Sequence, residues 1–371
     1  MTGACDSCLR RGYLVGQLAA RIAAMLDRPG KRVGALLSLP EDELIEAVSD
    51  RSAGVPDIPL RGFDACRERA EMADRGVRAL CRHDGRYPPQ LLQLQDAPAV
   101  LFVSGHGDLD LLAHDPSVAL VGTRRPSPYG REVAQGLGRG MAAAGVPVVS
   151  GLALGIDAEV HRGCLAADGL AVAVLACGPD VPYPRTNRRL YDRVRERGLV
   201  VSELPPGQRP YRWSFPARNR IMAGLARITV VVEAADPSGS LITTQFATQL
   251  GRGVGAVPGQ VTSRVAAGTN NLLKDGAALV TGSQDLLDEL FGSESDEGRA
   301  ARAQAAAAVA IDDPVQLRLL EAVEASLGID GICAHAGVPV REARAGLSRL
   351  ERSGHVRRDP LGGYRRTAVP C

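Results

Sequence analysis

The stretch that decides the fold is LVGTRRPSPYG, Leu120–Gly130. It follows the apolar run VALV (118–121) and leads into a segment of helical spacing, 130–144. An apolar strand, a turn of small residues and then a helix resemble the first unit of a phosphate-binding α/β protein. The turn has neither the G-x-x-x-x-G-K-[ST] spacing of a P-loop nor the G-x-G-x-x-G of a dinucleotide fingerprint. It carries two adjacent arginines instead, Arg124 and Arg125.

The same unit recurs downstream. Apolar runs at 147–150, 171–176, 199–203, 228–234, 254–259 and 279–282 read as strands, and 155–167, 186–197, 240–250 and 283–290 read as helices. Short β-rich runs alternating with helices imply a mostly parallel sheet covered on both faces. The fold class is therefore α/β, a doubly wound, extended Rossmann-like sheet, expected over 86–291. Residues 1–85 carry apolar residues three or four apart and read as a small all-α module. Residues 292–310, GSESDEGRAARAQAAAAVA, read as a linker. Residues 311–371 give helix, turn, helix and then two short strands around a Gly-Gly turn, the pattern of a winged helix.

Bulk properties bound the function. The chain has 371 residues, a net charge of +2 and no apolar run long enough to cross a membrane. No signal peptide is read at the N-terminus. The eight cysteines are scattered, which fits a reduced, cytoplasmic setting. Cys5 and Cys8 form a lone C-x-x-C; Cys66 and Cys81 are the only candidates for a second pair, and free thiols with no metal site are the expectation. The cations are almost all arginine, the lysines being Lys31 and Lys274. Arginine makes forked contacts to phosphate and stacks on planar groups.

Ligands of an open parallel sheet bind beyond the carboxyl ends of its strands. There the sequence places GTRRPSPYG, GLALGIDAEVH, CGPDVPYPRTN, LPPGQRPYRWSFPARNR and ADPSGSLITT. Small residues and arginines at helix starts make an anion-binding surface. Six of the 13 aromatics fall between 129 and 215 (Tyr129, Tyr183, Tyr191, Tyr211, Trp213, Phe215), interleaved with arginines. A cationic groove with flat side chains holds single-stranded nucleic acid without reading sequence. Asp157 and His161, four apart on a helix, are read as a pair that fixes a loop; with Ser150 they do not form a nucleophile elbow. No catalytic residue, metal or cofactor is assigned.

Six segments in order, VALVGTRRPSPYG, VVSGLALGIDAEVHRG, AVLACGPDVPYPRTN, SELPPGQRPYRWSFPARNRIMAGLA, VVVEAADPSGSLITT and AVPGQVTSRVAAGTNNLLKDGA, resemble the DprA/Smf family of DNA-processing proteins. The N-terminal module looks like that family's SAM-like module, and the C-terminal region resembles the winged helix many members carry. The resemblance implies single-stranded DNA binding, homodimers, loading of the RecA recombinase during natural transformation, and no enzymatic activity. It assigns Arg124 to a G-S-R motif that here has Thr123, Ser150 and Gly151 to a second phosphate-contacting turn, and Arg185 to a basic position after Tyr-Pro. It also matches Phe215, Arg218, Asn219 and Arg220 to an F-P-x-R-N-R motif. Val160 departs from the small residue expected before the histidine. On this reading Gly122, Thr123, Ser150, Gly151, Ser238, Gly239 and Ser240 seat phosphates, and Arg124, Arg185, Arg218 and Arg220 neutralise them. The alternatives are a nucleotide-hydrolysing enzyme of the phosphoribohydrolase type and a general DNA-repair scaffold. Arg341, Arg344, Arg349, Arg357, Arg358, Arg365 and Arg366 leave the winged helix open to duplex DNA or to a protein.

Overall fold

The computed structural model describes residues 3–27, 33–49, 60, 62–114, 116–292, 313–352, 355–358 and 363–366. Four helices come first: α1 Asp6–Leu26, α2 Val33–Leu37, α3 Glu41–Val48 and α4 Ala65–Asp74. Two strands follow, β1 Val77–Cys81 and β2 Val100–Ser104, and then α5 Leu109–His114. The alternating region runs β3 Val118–Val121, α6 Pro128–Ala143, β4 Val148–Ser150, α7 Ile156–Ala166, β5 Ala171–Val174, α8 Arg188–Arg197 and β6 Leu199–Ser202. It continues with α9 Ser214–Leu225, β7 Ile228–Val231, α10 Leu241–Gln249, β8 Gly253–Ala256, α11 Ala267–Lys274, β9 Ala278–Leu279 and α12 Ser283–Phe291. The C-terminal part holds α13 Pro314–Glu324, α14 Ile329–Ala336, α15 Val340–Arg352, β10 Val356–Arg358 and β11 Tyr364–Arg366.

Among the described residues nine strands form one sheet in the order β1-β2-β6-β5-β4-β3-β7-β8-β9. β1 and β2 are antiparallel additions at one edge, and β6 through β9 are parallel. Every residue of β3 to β7 is buried, as a sheet covered on both faces requires. The alternation of side chains is explicit: Val118 and Leu120 enter the core shared with α6, α7 and α12, whereas Ala119 and Val121 enter the one shared with α5 and α9. Gly138, within a Gly-rich run of α6, allows α7 to approach, since a Cβ there would sit 2.4 Å from the Val160 carbonyl oxygen.

From β3 the crossovers run one way to β4, β5 and β6; from β7 they run the other way to β8 and β9. The topological switch point therefore lies at the carboxyl ends of β3 and β7, where such folds bind ligands.

Five elements lie outside the strands and helices that the sequence suggests: β1, β2, α5, α9 and α11. β1, inside the stretch read as helical, and β2 join the sheet, because both runs are apolar enough to extend its edge. α9 falls in a stretch beyond a strand end for which the sequence suggests no element. It is buried along almost its whole length, so it shows no amphipathic stripe.

The N-terminal helices share a core with the start of α9: Leu14, Leu18 and Leu44 meet Trp213 and Ala217, and the Trp213 indole donates to the Ala19 carbonyl at 2.9 Å. Cys5 and Cys8, expected as unpaired thiols, converge with Cys81 and His83 instead. Cys66 stands apart and exposed. The C-terminal helices and the β10–β11 hairpin enclose a separate small core around Leu319, Leu347 and Val356. Of the expected linker 292–310, residues 293–310 lie outside the described residues, as do 359–362 of the hairpin turn.

Candidate nucleic-acid interface

The turn after β3 presents Arg124 and Arg125 to solvent. The Arg124 guanidinium lies over the Phe215 ring, 5.4 Å from its centroid. Phe215 in turn meets Tyr183, ring centroids 5.8 Å apart, and Tyr183 is 40% exposed. Arg185, two residues on, is exposed and has no ion pair among the described residues. Three crossovers thus contribute to one surface, an arginine and two aromatic rings in a row with a free cation beside them. The Ser238–Ser240 turn follows β7 with its serines half-buried and Gly239 exposed, and the Ser238 and Ser240 hydroxyls bond each other at 2.9 Å.

The two inner turns do not offer the expected phosphate seats. Ser150 is fully buried, and its hydroxyl donates to the Leu120 carbonyl at 2.7 Å. The Gly151 N–H points at the Asp157 carboxylate, 3.2 Å away, and the N–H groups of Ala153 and Gly122 also stabilise that carboxylate. The Thr123 N–H donates to the Glu233 carbonyl at 2.7 Å. At the start of α6, Glu233 accepts from the Ser127 N–H at 2.8 Å and from its hydroxyl at 2.6 Å. The N–H groups of these turns bind anions, as the sequence suggested, but the anions are the protein's own carboxylates. The N–H groups of Gly122, Thr123 and Gly151 and the Ser150 hydroxyl are therefore engaged inside the protein, whereas the half-buried Thr123 hydroxyl only accepts from the Arg125 N–H, at 3.2 Å.

The F-P-x-R-N-R residues divide in the same way. Arg220 is 1% exposed, its Nε 2.8 Å from Asp96 and its Nη2 2.8 Å from Glu203. Burial opposes its charge, but Glu203 and Asp96 outweigh burial and hold its pKa above the ordinary value. It is a structural ion pair, not a phosphate contact. Arg218 is 7% exposed. One nitrogen donates to the Gly151 carbonyl at 2.7 Å and to the Val174 carbonyl at 2.6 Å, and its Nε donates to the Asn219 Oδ1 at 3.2 Å. The Asn219 amide then donates to the Gly239 carbonyl at 3.3 Å. One buried guanidinium thereby ties together the ends of β4 and β5 and, through Asn219, the turn after β7. Burial pushes the Arg218 pKa down, Asp157 pulls it back up, and the nearby charge of Arg124 adds to the downward push. Gly151 must be glycine, because a Cβ there would lie within 1.9 Å of the Arg218 Nη1.

Asp157 fixes its loop as expected, but not with His161. His161 is fully buried and does not pair with Asp157; the hydrogen-bonding group that faces its ring is the Ser150 backbone. Burial, and secondarily the charge of Arg218, lowers the imidazole pKa to about 3, so the ring is neutral packing. Burial likewise raises the Asp157 carboxyl above the ordinary range, against the pull of Arg218 and the turn N–H groups. Asn187 completes the scaffold by donating to the Leu152 and Ala153 carbonyls at 3.0 and 3.2 Å.

Of the other aromatics, Tyr191 and Trp213 belong to the core, and Tyr129 donates its hydroxyl to the Pro258 carbonyl at 3.0 Å. Tyr211 stacks on Trp213 under the Arg209 guanidinium. In the C-terminal hairpin two of the arginines are paired: Arg357 meets Glu132 of α6 at 3.3 Å, and Arg366 pairs with Glu324. The sequence reading did not assign roles to Tyr183 and Glu233. Tyr183 was legible only as one of a run of aromatics, and Glu233 gave no signal, since its partner Ser127 is 106 residues away.

Several known proteins are similar to this chain. The profile of the DNA recombination-mediator protein A family matches residues 78–291, more than half of the chain. A putative DNA processing protein DprA of Mycobacterium tuberculosis is 45% identical over 210 residues, covering 55% of this chain and 54% of that protein. The chain thus spans about half the length of that curated relative. Protein Smf of Synechocystis is 33% identical over 325 residues, 80% of this chain and 82% of its own. The crystal structure of Streptococcus pneumoniae DprA superposes with a TM-score of 0.59 at 34% identity, covering 76% of this chain and 96% of that one. A Helicobacter pylori DprA structure, described for its single-stranded DNA binding mode, gives 0.51 at 29% identity over 57% of this chain and 93% of that one. The ordered strand-end motifs, the doubly wound sheet and these matches agree, and the chain belongs to the DNA recombination-mediator protein A family.

Proposed function

We propose that this chain binds single-stranded DNA without sequence preference, protects it, and loads RecA onto it during transformation or recombination. It would act in the cytoplasm as a homodimer, with no membrane contact and no turnover of its own. The observation that carries this reading is the row Arg124–Phe215–Tyr183 at the switch point. The arginine is poised for phosphate and the exposed tyrosine ring for an unpaired base, while Phe215 holds both in place. Arg185 extends the cationic track, and the Ser238–Ser240 turn offers hydroxyls and backbone to the next phosphate. Arg218, Asn219 and the turns around Gly122 and Gly151 position this surface from beneath. The printed description of the Helicobacter relative, single-stranded DNA binding, supports the ligand class. The self-filled turns support binding over catalysis: Asp157 and Glu233 are both held by hydrogen bonds and neither is free to shuttle protons. Dimerisation would double the footprint and add avidity.

The test is fluorescence anisotropy with labelled single and double strands across a salt series. Arg124→Ala should weaken single-strand binding by about 1 kcal/mol or more and reduce the log-log salt slope by about 0.7. Thermal stability should not change. Unchanged affinity and slope, or equal affinity for duplex and single strand, would refute the assignment.

A further inference from the structure

We infer that the N-terminal cysteines are ligands of a structural zinc ion. Cys5, Cys8, Cys81 and His83 converge so that one ligand atom from each lies within 4.8 Å of all the others. The His83 Nδ1 is 3.5 Å from the Cys5 Sγ, 3.5 Å from the Cys8 Sγ and 3.9 Å from the Cys81 Sγ. A tetrahedral zinc with bonds of about 2.3 Å to sulfur and about 2.0 Å to nitrogen sets its ligand atoms about 3.5–3.8 Å apart. The side chains therefore surround a volume sized for a single ion, and an iron–sulfur cluster would need them farther apart. Three thiolates and an imidazole with no open position form a closed structural set, not a catalytic one.

The backbone builds this arrangement deliberately. Cys5 is the N-cap residue of α1 and Cys8 lies in its first turn, where the helix dipole favours negative sulfur. Cys81 ends β1, and His83 sits in a turn closed by the Asp84 N–H donating to the Cys81 carbonyl at 2.8 Å. The Cys5 N–H points at the Cys81 Sγ, 3.4 Å away, an outer-shell bond of the kind that steadies a metal thiolate. Around the cluster, the Ala4 N–H donates to the Ala79 carbonyl at 2.8 Å and the Gly3 N–H to the Asp84 carboxylate at 2.6 Å. Cys8 and Cys81 are buried and His83 is exposed, so its Nε2 can carry the ring proton into water while Nδ1 binds. On binding, zinc displaces one proton from each of the three thiols to the buffer. The ion would fasten α1 to the edge strand of the sheet, joining the helical module to the DNA-binding body. The C-x-x-C was visible in the sequence and Cys81 was one of two candidates to complete it; His83 gave no signal, because it lies over 70 residues from the C-x-x-C and a single C-x-H spacing does not by itself mark a metal site.

The experiment uses the full chain, purified without a metal-chelating tag from zinc-supplemented medium, with bound metal measured by mass spectrometry. Native protein should carry stoichiometric zinc. Cobalt(II) exchanged into the chelator-stripped protein should show the intense visible bands of tetrahedral coordination together with thiolate-to-cobalt charge transfer. Cys8→Ser and Cys81→Ser should lose the zinc, and Cys66→Ser should keep it. Native protein free of zinc and without the cobalt spectrum, a Cys5–Cys8 disulfide in the unreduced chain, or equal zinc loss in Cys66→Ser would overturn the inference. The two native-chain readouts decide the matter even if the cysteine variants fail to fold.

Discussion

Replacing Arg218 by alanine separates positioning from contact. The substitution removes the donor to two buried carbonyls, those of Gly151 and Val174, and the hydrogen bond to Asn219. Each buried acceptor left unmatched costs about 1–3 kcal/mol. It also strips the nearest positive charge from the buried Asp157, and breaking a buried charge arrangement from one side costs about 3–5 kcal/mol. These contributions overlap, since water can enter the vacated space, so we take about 4 kcal/mol for the whole. For a domain of this size that corresponds to a fall in Tm of roughly 10 °C. The assay is thermal unfolding by circular dichroism, paired with single-strand anisotropy well below the new Tm. DNA binding should weaken only as far as the loops after β4, β5 and β7 loosen, with the salt slope nearly unchanged. Unaltered Tm together with a salt slope reduced by about 0.7 would show that Arg218 reaches phosphate, and the positioning role argued for it above would be wrong.

Two further outcomes follow from the same geometry. Tyr183→Ala should weaken single-strand binding by about 1–3 kcal/mol with little change in salt slope, because it removes a stacking platform and no charge; a slope change equal to that of Arg124→Ala would contradict the stacking role. His161, with a folded pKa of about 3 against an ordinary 6.5, takes up a proton only on unfolding throughout that window. Stability should therefore fall as pH drops from about 6.5 toward 3, by at most about 1.4 kcal/mol per pH unit from this group. His161→Gln should flatten that part of the curve in chemical unfolding experiments, and an unchanged acid limb would show that His161 is not the group responsible.

Much of the fold was legible because the central strands are short, mostly apolar and separated by helical stretches. What escaped was whatever lacked a period. α9 is enclosed on all sides and carries two arginines, so neither its helical character nor its burial shows in a pattern. Those arginines also explain the main misreading of the site. A basic motif at the end of a strand looks the same in sequence whether its charges face phosphate or face Asp96, Glu203 and Asp157. The acids that decide between these stand up to 124 positions from their partners, as with Asp96 and Arg220. Arg124 and Arg185, in the short segments just beyond two strand ends, do stand on the surface. Ser150 was drawn inward because the residue ending a central strand of a doubly covered sheet has no route to solvent.

The carboxylates of Asp157 and Glu233 have a consequence for selectivity. A Rossmann-like cleft with open amide groups would attract the abundant mononucleotides and dinucleotide coenzymes of a living cell, and each such guest would exclude a polymer. Here the cradle is stoppered from within by side chains that cannot diffuse away. What is left outside is a surface of cations and rings, which on the function proposed above would sum many weak touches along a strand.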